Sequence, residues 1–232
     1  MKLSKEKIRE RNQIEEFVNT LKPVTENLNR PTIIVVEGAT CSGKTSLVKN
    51  LSIELQNTFS INTRIIPEAA RIVLSSKRNI SSELQSIPQG TEEWKMVKKN
   101  LQFLILKKQV QDIGRHFDKK LKFDGITIMD RAGASTMAHT GSLMNDADNI
   151  KFSIPCKMLA KFATHTLVMQ NLRVFRKDGI RFQKTPDEFV REESDIIGIL
   201  DDWKIPFTYI GNEPVKNRTD TALAKILPSL KI

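Results

Sequence analysis

The sequence predicts one α/β domain in which a mainly parallel, five-stranded sheet carries helices on both faces. Two observations predict it: short β-branched runs recur along the chain, and amphipathic segments of helical period lie between them. Strands that alternate with helices need crossover connections, which place helices on both sides of a parallel sheet. We therefore predict a three-layer α/β/α sandwich over residues 31–232, preceded by a helical extension over residues 1–30.

The predicted strands are apolar runs typical of strands that are buried on both faces of a sheet. They cover residues 32–37, 62–66, 125–129, 165–169 and 205–210. Helices are predicted between them, at about residues 44–57, 68–77, 91–117, 152–162, 187–202 and 217–227.

The N-terminal segment, residues 2–21, is predicted to form a helix outside this alternating pattern. Leu3, Ile14, Phe17 and Leu21 recur near helical spacing among charged residues. Such an apolar face could dock a protein partner or a second copy of the chain.

Composition describes a folded protein with a preference for anionic partners. Of its 232 residues, 39% are hydrophobic and 28% are charged, and its net charge is +10. This excess of cations favours phosphates, nucleotides or nucleic acids as partners. Cys41 and Cys156 are too few for a disulfide framework. Because no apolar run is long enough for a membrane span or a signal segment, we expect a cytoplasmic protein without membrane contact.

The strongest motif is Gly38-Ala39-Thr40-Cys41-Ser42-Gly43-Lys44-Thr45, which matches G-x-x-x-x-G-K-[ST]. It lies between a predicted buried strand and an amphipathic helix, which is the context that the motif requires. Its glycines let backbone N–H groups converge on a phosphate, and the helix N-terminus attracts the same anion. Lys44 would contact the β- and γ-phosphates, and the Thr45 hydroxyl would bind Mg²⁺. These residues, together with Ser46, are therefore predicted to bind a nucleoside triphosphate.

Asp130 and Arg131 stand where the third predicted strand ends. Ligands of α/β sheets bind at the carboxyl ends of the strands, so a carboxylate there can hold Mg²⁺ beside Thr45. Arg131 can contact a phosphate from the same edge. The alternative is a turn with a surface ion pair, but a buried strand that ends on an acid favours the functional interpretation.

Glu68 follows Pro67 just after the second predicted strand, and Arg71 lies one helical turn further on. Glu68 could deprotonate a hydroxyl acceptor or hold that acceptor in position. A Pro-Glu pair is equally typical of a helix start, because Pro suits the first helical position and an acid suits the helix dipole. Spacing alone leaves both interpretations open.

Two further segments are rich in cations. Residues 95–122 combine them with a wide apolar helical face, so we expect a solvated helix surface rather than a nucleic-acid site. Residues 171–191 are predicted to form a lid that neutralises charge on a transferred phosphoryl group, with a solvated basic surface as the alternative. The cations of this second segment are Arg173, Arg176, Lys177, Arg181, Lys184 and Arg191.

Taken together, these segments resemble the P-loop kinase-like family of AAA-type domains that includes ribosylnicotinamide kinase domains. More distantly they resemble deoxynucleoside and thymidylate kinases. The resemblance spans about residues 32–228 and implies a P-loop NTPase sheet of strand order 2-3-1-4-5. The matching segments are GATCSGKT, PEAAR at 67–71, MDRAG at 129–133, DGIRF at 178–182 and NEPVKNR at 212–218.

The resemblance also implies roles for individual residues. Lys44 and Thr45 would hold phosphate and Mg²⁺, and Glu68 would act as a base or position the acceptor. Asp130 and Arg131 would form an acid–arginine pair at the metal and the phosphates. Whether Glu68 or Asp130 is the base stays open.

The same resemblance places Arg176 and Arg181 in the lid and the adenine of ATP at the loop 211–214. We therefore predict an ATP- and Mg²⁺-dependent phosphotransferase whose acceptor is a small hydroxyl compound, a nucleoside or a nucleotide. ATP is favoured over GTP because no guanine-recognition motif follows the last strand. A slow ATPase that regulates a partner is one alternative, suggested by the N-terminal helix. A kinase acting on nucleic-acid ends is another, suggested by the net charge alone.

Overall fold

The computed structural model describes residues 5–25, 32–116, 123–172 and 185–230. Its centre is a five-stranded sheet in the order β2-β3-β1-β4-β5, in which every neighbouring pair is parallel. The predicted fold class and strand order are therefore confirmed. The strands are β1 (Ile33–Gly38), β2 (Thr63–Ile66), β3 (Ile126–Asp130), β4 (His165–Met169) and β5 (Thr208–Ile210).

Helices cover both faces of this sheet. Side chains of β1 alternate between the faces, with Ile33 and Val35 packing against one helical layer and Ile34 and Val36 against the other. The helices are α1 (Lys5–Thr25), α2 (Lys44–Asn57), α3 (Ala69–Ser76), α4 (Arg78–Ser86), α5 (Glu92–His116), α6 (Gly133–Ala138), α7 (Asp146–Lys161), α8 (Pro186–Asp202) and α9 (Val215–Ile226). Short 3-10 turns occur at Gly141–Leu143 and Leu227–Ser229.

Different sets of helices cover the two faces of the sheet. Helices α2 and α9 form one layer, and α1, α5 and α7 pack on the opposite face. No helix in the described ranges is both long enough and apolar enough to cross a membrane.

Two helices, α4 and α6, were not predicted. Helix α4 is short and polar, and its apolar face consists of Ile80 and Leu84 alone, which is too short a pattern to stand out in the sequence. Helix α6 consists mainly of small buried residues that pack closely against α7. A Cβ atom on Gly133 would lie 1.8 Å from the carbonyl oxygen of Cys156, so this contact requires glycine.

Three other element boundaries differ from prediction, and the first is the end of helix α1, which is Thr25 rather than residue 21. Helix α7 begins at Asp146 rather than at 152, because the Asn145 side chain caps it by accepting the Asp148 N–H. Strand β5 is shorter than predicted: the Ile205 N–H donates to Leu200 O at the end of α8, and Pro206 has no N–H to give to a ladder.

Helix α1 packs on the domain itself rather than presenting its apolar face to solvent. Phe17 and Leu21 are buried in one cluster with residues of α5 and α7, and Ile14 packs against that cluster. Outside this core, Glu10 pairs with Lys99 of α5 at 2.7 Å. The expectation that these apolar residues dock a partner is therefore wrong, whereas Leu3 lies outside the described residues.

Candidate active site

The carboxyl ends of β2, β3 and β1 lie side by side, and the predicted site residues follow them. Strand β1 leads into the phosphate loop, residues 38–45, which adopts left-handed backbone angles at Gly38, Cys41 and Gly43, with φ of 138°, 62° and 89°. A Cβ atom on Gly38 would lie 2.7 Å from Met169 O, so β4 would clash with any larger residue there. Helix α2 begins at the end of the loop and directs its N-terminus toward the same region.

Lys44 is buried within this loop. Its Nζ atom donates to Ala39 O at 2.5 Å and to Ser42 Oγ at 3.2 Å. Burial lowers the pKa of Lys44 to about 7, and the charge of Arg131 contributes to the same shift. Both of these hydrogen-bond acceptors are neutral, so a phosphate bound in the loop would give the Lys44 ammonium group a negatively charged partner and stabilise its charged form.

Thr45 and Asp130 form a polar pair at the base of the loop. Thr45 Oγ1 donates to Asp130 Oδ2 at 2.6 Å. Asp130 is buried, and its Oδ1 atom has no hydrogen-bond partner among the described residues. A hydroxyl beside a carboxylate with an unsatisfied oxygen is a donor set that Mg²⁺ prefers, so these two residues fit a magnesium site.

Arg131 is buried and adopts a left-handed backbone angle, φ 73°. Its Nε atom lies 3.2 Å from Glu68 Oε1, and its Nη1 atom lies 3.3 Å from Glu192 Oε1. Burial alone would lower the pKa of Arg131, but the nearby carboxylates, Glu68 and Glu192 foremost, outweigh it and raise the pKa above its usual value. The interpretation of Asp130 and Arg131 as an exposed turn is therefore wrong, since both side chains are buried.

Glu68 occupies the N-cap position of α3, yet its side chain makes no capping hydrogen bond. Its carboxylate instead accepts from Arg71 Nε at 3.0 Å and pairs with Arg131. Glu68 is buried, and it faces the phosphate-loop side of the sheet. Glu68 therefore does stand at a helix start, but its side chain does not cap that helix. Its contacts with Arg71 and Arg131 fit a role in the site.

A cavity of about 560 Å³ opens beside Glu68, lined mainly by α3, α4 and α5 and also by His139 and by Glu188 of α8. Leu74, Leu84 and Trp94 supply apolar walls, and Gln85 and Lys98 add polar groups. At its inner end the cavity reaches Thr40, Glu68, Arg71 and Arg131. Its volume and mixed lining are typical of sites for small organic ligands.

A family model described as an AAA domain matches residues 33–218. This range includes the phosphate loop and the ion pairs that Arg131 makes with Glu68 and Glu192. The chain belongs to this AAA domain family. No curated protein matches the chain.

Solved structures with the same fold as this AAA domain include a NadR protein in complex with NR and a thymidylate kinase from Ehrlichia chaffeensis. The NadR structure is 16% identical with a TM-score of 0.65, and the match covers 97% of this chain and 58% of that one. The thymidylate kinase is 16% identical with a TM-score of 0.57, and the match covers 85% and 99%. At these identities the likeness shows the fold alone.

The AAA domain holds two buried glutamates near this site that the sequence interpretation missed. Glu192, on α8, contacts Arg131 as well as Thr40 of the phosphate loop. Glu37 ends β1, where it accepts the Ala132 N–H at 2.9 Å and the Ser135 hydroxyl. Burial raises the pKa of Glu37 although both hydrogen bonds oppose this shift. An acid directly before the motif signals Glu37, but no local pattern distinguishes Glu192 within an acidic helix.

Arg218 joins the phosphate loop to the loop 211–214, which the resemblance assigns to adenine. Its guanidinium donates to Ser42 O at 3.1 Å and to Asn212 Oδ1 at 2.6 Å. Its Nε atom donates to Glu213 O at 2.6 Å. This buried arginine therefore fixes the two loops relative to each other.

The remaining predicted residues have different outcomes. Cys41 is half-buried in the phosphate loop, and Ser46 is exposed in the first turn of α2. Arg176 and Arg181, the predicted lid arginines, lie outside the described residues.

Proposed function

We propose that this AAA domain is an ATP- and Mg²⁺-dependent phosphotransferase whose acceptor is the hydroxyl of a nucleoside or nucleotide. The observation that carries the proposal is the 560 Å³ cavity, because it meets the phosphate loop at Thr40 and contains Glu68 and Arg131. A slow regulatory ATPase needs a donor site but has no use for a second cavity that opens onto it. The buried face of α1 also removes the observation that suggested such a regulator.

On the donor side, the phosphate loop and Lys44 would bind the triphosphate of ATP. Thr45 and Asp130 would hold Mg²⁺, which when bound would neutralise charge on the phosphate oxygens. Arg218 would keep the loop 211–214 in register with the phosphate loop while the base is bound.

On the acceptor side, Glu68 is the better placed of the two candidate bases. Glu68 lines the cavity, whereas Asp130 is not among its described lining residues and instead pairs with Thr45. A carboxylate at that point can accept the proton of an acceptor hydroxyl while the hydroxyl oxygen attacks the γ-phosphorus and the bond from that phosphorus to the leaving ADP breaks. Arg131, at the junction of cavity and loop, would stabilise negative charge on the group in transfer.

The comparisons support this class of acceptor. The NadR protein and the thymidylate kinase share the fold at 16% identity, and the chain spans only 58% of the NadR chain. A similar activity of this chain is therefore a proposal. The cavity beside the phosphate loop supports it independently of the comparisons.

The proposal is tested by measuring ADP release from MgATP by the full chain, alone and with pools of nucleosides, nucleotides or short RNA. We expect one nucleoside or nucleotide pool to raise the rate at least roughly tenfold, and we expect Lys44→Ala to abolish that increase. A slow rate that no pool changes, but that Lys44→Ala removes, would contradict the phosphotransferase and favour the regulatory ATPase. A rate that rises with RNA alone would favour the kinase of nucleic-acid ends.

A further inference from the structure

Glu192 connects three parts of the candidate site that are far apart in the sequence. Its Oε1 atom accepts the Thr40 hydroxyl at 3.1 Å and lies 3.3 and 3.4 Å from the Nη1 and Nη2 atoms of Arg131. The same oxygen lies 3.1 Å from His139 Nε2. Thr40 belongs to the phosphate loop, Arg131 follows β3, and His139 follows α6, whereas Glu192 itself is on α8.

The burial of Glu192 shows that these contacts are tightly enclosed. Only 5% of this residue is exposed, and Arg131 is exposed to the same extent. A buried carboxylate is stable only where charged and polar partners compensate for its lost hydration, and here Arg131 and Thr40 do so. Changing Glu192 therefore changes the environment of both residues at once.

Arg131 is held from two sides by carboxylates. Glu68 contacts Nε, and Glu192 of α8 contacts both terminal nitrogens, one of which also lies 3.3 Å from His139 Nε2. Because the guanidinium group is planar and its donors are fixed in direction, contacts from both sides define its orientation. Without Glu192, the guanidinium would keep Glu68 as its close carboxylate and would lose the carboxylate that fixes its two terminal nitrogens.

We propose that Glu192 is a positioning residue for phosphoryl transfer, which fixes Arg131 and Thr40 relative to each other at the junction of phosphate loop and cavity. The kinetic consequence rests on the proposed function, whereas the restraint on Arg131 does not. Among the described residues, Glu192 is not part of the cavity lining, and none of its described contacts is with Thr45 or Asp130. It therefore acts through Arg131 and Thr40.

The adjacent Glu193 provides a matched control. It is also buried on α8, but its carboxylate accepts from the Asn171 backbone N–H at 2.7 Å and from the Tyr209 hydroxyl. Glu193→Gln removes the same charge from the same helix without removing a described contact to Arg131 or Thr40. Glu192→Asp keeps a carboxylate one methylene further from its partners.

The restraint is tested first by NMR of the arginine side chains in the full chain, with Arg131→Lys to assign the Arg131 signals. We expect separate Nη signals for Arg131 in the parent protein and in Glu193→Gln, because its guanidinium cannot rotate freely. We expect those signals to merge in Glu192→Gln. Arg131 signals that are the same in Glu192→Gln as in the parent protein would overturn the proposal.

The kinetic test uses the acceptor pool that raises ADP release. Glu192→Gln should lower kcat about 10- to 100-fold, because a small displacement of a reacting group costs that much. KM for MgATP should change less than about threefold, because Lys44, Thr45 and Asp130 keep their contacts. Glu192→Asp should recover part of kcat, and it serves as the test variant if Glu192→Gln does not fold.

Two kinetic results would overturn the proposal. One is a kcat that Glu192→Gln and Glu192→Asp leave unchanged, and the other is an equal loss in Glu193→Gln, which would indicate a general effect on α8. If the parent protein transfers no phosphoryl group, the proposed function fails, and the NMR comparison still decides whether Glu192 restrains Arg131.

Discussion

At the residue scale, the site is a set of buried charges that compensate one another. Arg131 lies between Glu68 and Glu192, while Lys44 is held by neutral oxygens and has a pKa lowered to about 7. The side that would receive a triphosphate thus carries a buried lysine whose charged form a bound phosphate would stabilise, and the side that would receive the acceptor carries Glu68. This asymmetry suits a donor that is anionic and an acceptor that must lose a proton.

Asp130→Asn tests the magnesium pair. The amide keeps an oxygen for the Thr45 hydroxyl but loses the charge that favours a divalent cation. We expect the Mg²⁺ concentration for half-maximal ATP binding to rise on the order of tenfold or more. Loss of a residue that only hydrogen-bonds to a metal ligand already lowers metal affinity by about that factor. A fluorescent ATP analogue titrated with Mg²⁺ measures it, with Asp112→Asn as control because Asp112 pairs with Lys108 on α5. An unchanged Mg²⁺ dependence would contradict the assignment.

Glu68→Gln tests the base. The change keeps the size of the side chain and removes its ability to accept the acceptor proton. We expect kcat to fall roughly 100- to 10,000-fold, the usual contribution of general base catalysis. The Kd for MgATP should stay within about threefold. Glu83→Gln, an exposed change on α4, is the control, and full activity of Glu68→Gln would assign the proton to another group.

At the element scale, the site lies at the carboxyl ends of the strands, and helix α5 packs against β2 and β3, which are neighbours in the sheet. His116 ends α5, where its ring is within 3.2 Å of Arg64 Nη1 on β2 and 3.0 Å of Thr127 Oγ1 on β3. Burial lowers the pKa of His116 to about 4, and the Arg64 charge adds to this effect. The neutral ring therefore stabilises the contact between α5 and the strands.

This low pKa makes stability depend on pH in a definite direction. An unfolded histidine binds its proton near pH 6.5, so between pH 6.5 and 4 the unfolded state holds more protons than the folded state. The free energy of unfolding should therefore fall as pH falls through this range. After allowance for solvent screening, His116 should account for about 2 kcal/mol of that loss.

Urea unfolding at pH 7, 6, 5 and 4.5 measures this dependence, with His116→Gln as the matched variant. Glutamine keeps a polar side chain but does not titrate. We expect the stability of the variant to fall less steeply with decreasing pH than that of the parent protein. Parallel curves for the two proteins would show that His116 does not contribute the effect.

The elements differ in how far the sequence could predict them. Continuous apolar runs identified β1, β3 and β4, a wide apolar helical face identified α5, and the motif context identified α2. Helix α4 was not predicted because its apolar face consists of Ile80 and Leu84 alone, and its stability comes from docking on α3 and α5. The apolar face of α1 was recognised, but a pattern cannot say whether such a face packs on its own domain or on a partner.

The same distinction applies to the site. Residues directly after strands could be predicted, because parallel strands bring their carboxyl ends to one edge; Lys44, Glu68, Asp130 and Arg131 all lie there. Glu192 could not, because it reaches Arg131 from a helix 61 positions away in the chain, and only packing brings them together. The pairing of Glu68 with Arg131 is likewise a product of the sheet order.

At the scale of the whole molecule, the donor loop and the cavity are separate compartments that meet at Thr40 and Arg131. The phosphate loop lies between β1 and α2, whereas the outer walls of the cavity come mainly from α3, α4 and α5, with His139 and with Glu188 of α8. Changes on the outer wall of the cavity should therefore alter acceptor binding without altering donor binding.

Gln85→Trp tests this separation. Gln85 is exposed on α4 and lines the cavity, so an indole there should occupy space that the acceptor needs. We expect KM for the acceptor to rise on the order of tenfold and KM for MgATP to stay within about twofold. Glu83→Trp, on the same helix but not among the described lining residues, is the control. An acceptor KM that neither variant changes would place the acceptor elsewhere.

The most direct test of the central claim follows the γ-phosphoryl group itself. The full chain is incubated with Mg²⁺ and γ-labelled ATP in the presence of the nucleoside or nucleotide pool, and the labelled products are separated and identified. We predict that the label appears on an acceptor hydroxyl in proportion to ADP formed, and that Lys44→Ala and Glu68→Gln suppress it. Label found as inorganic phosphate alone, at a rate that the pool does not change, would contradict the account.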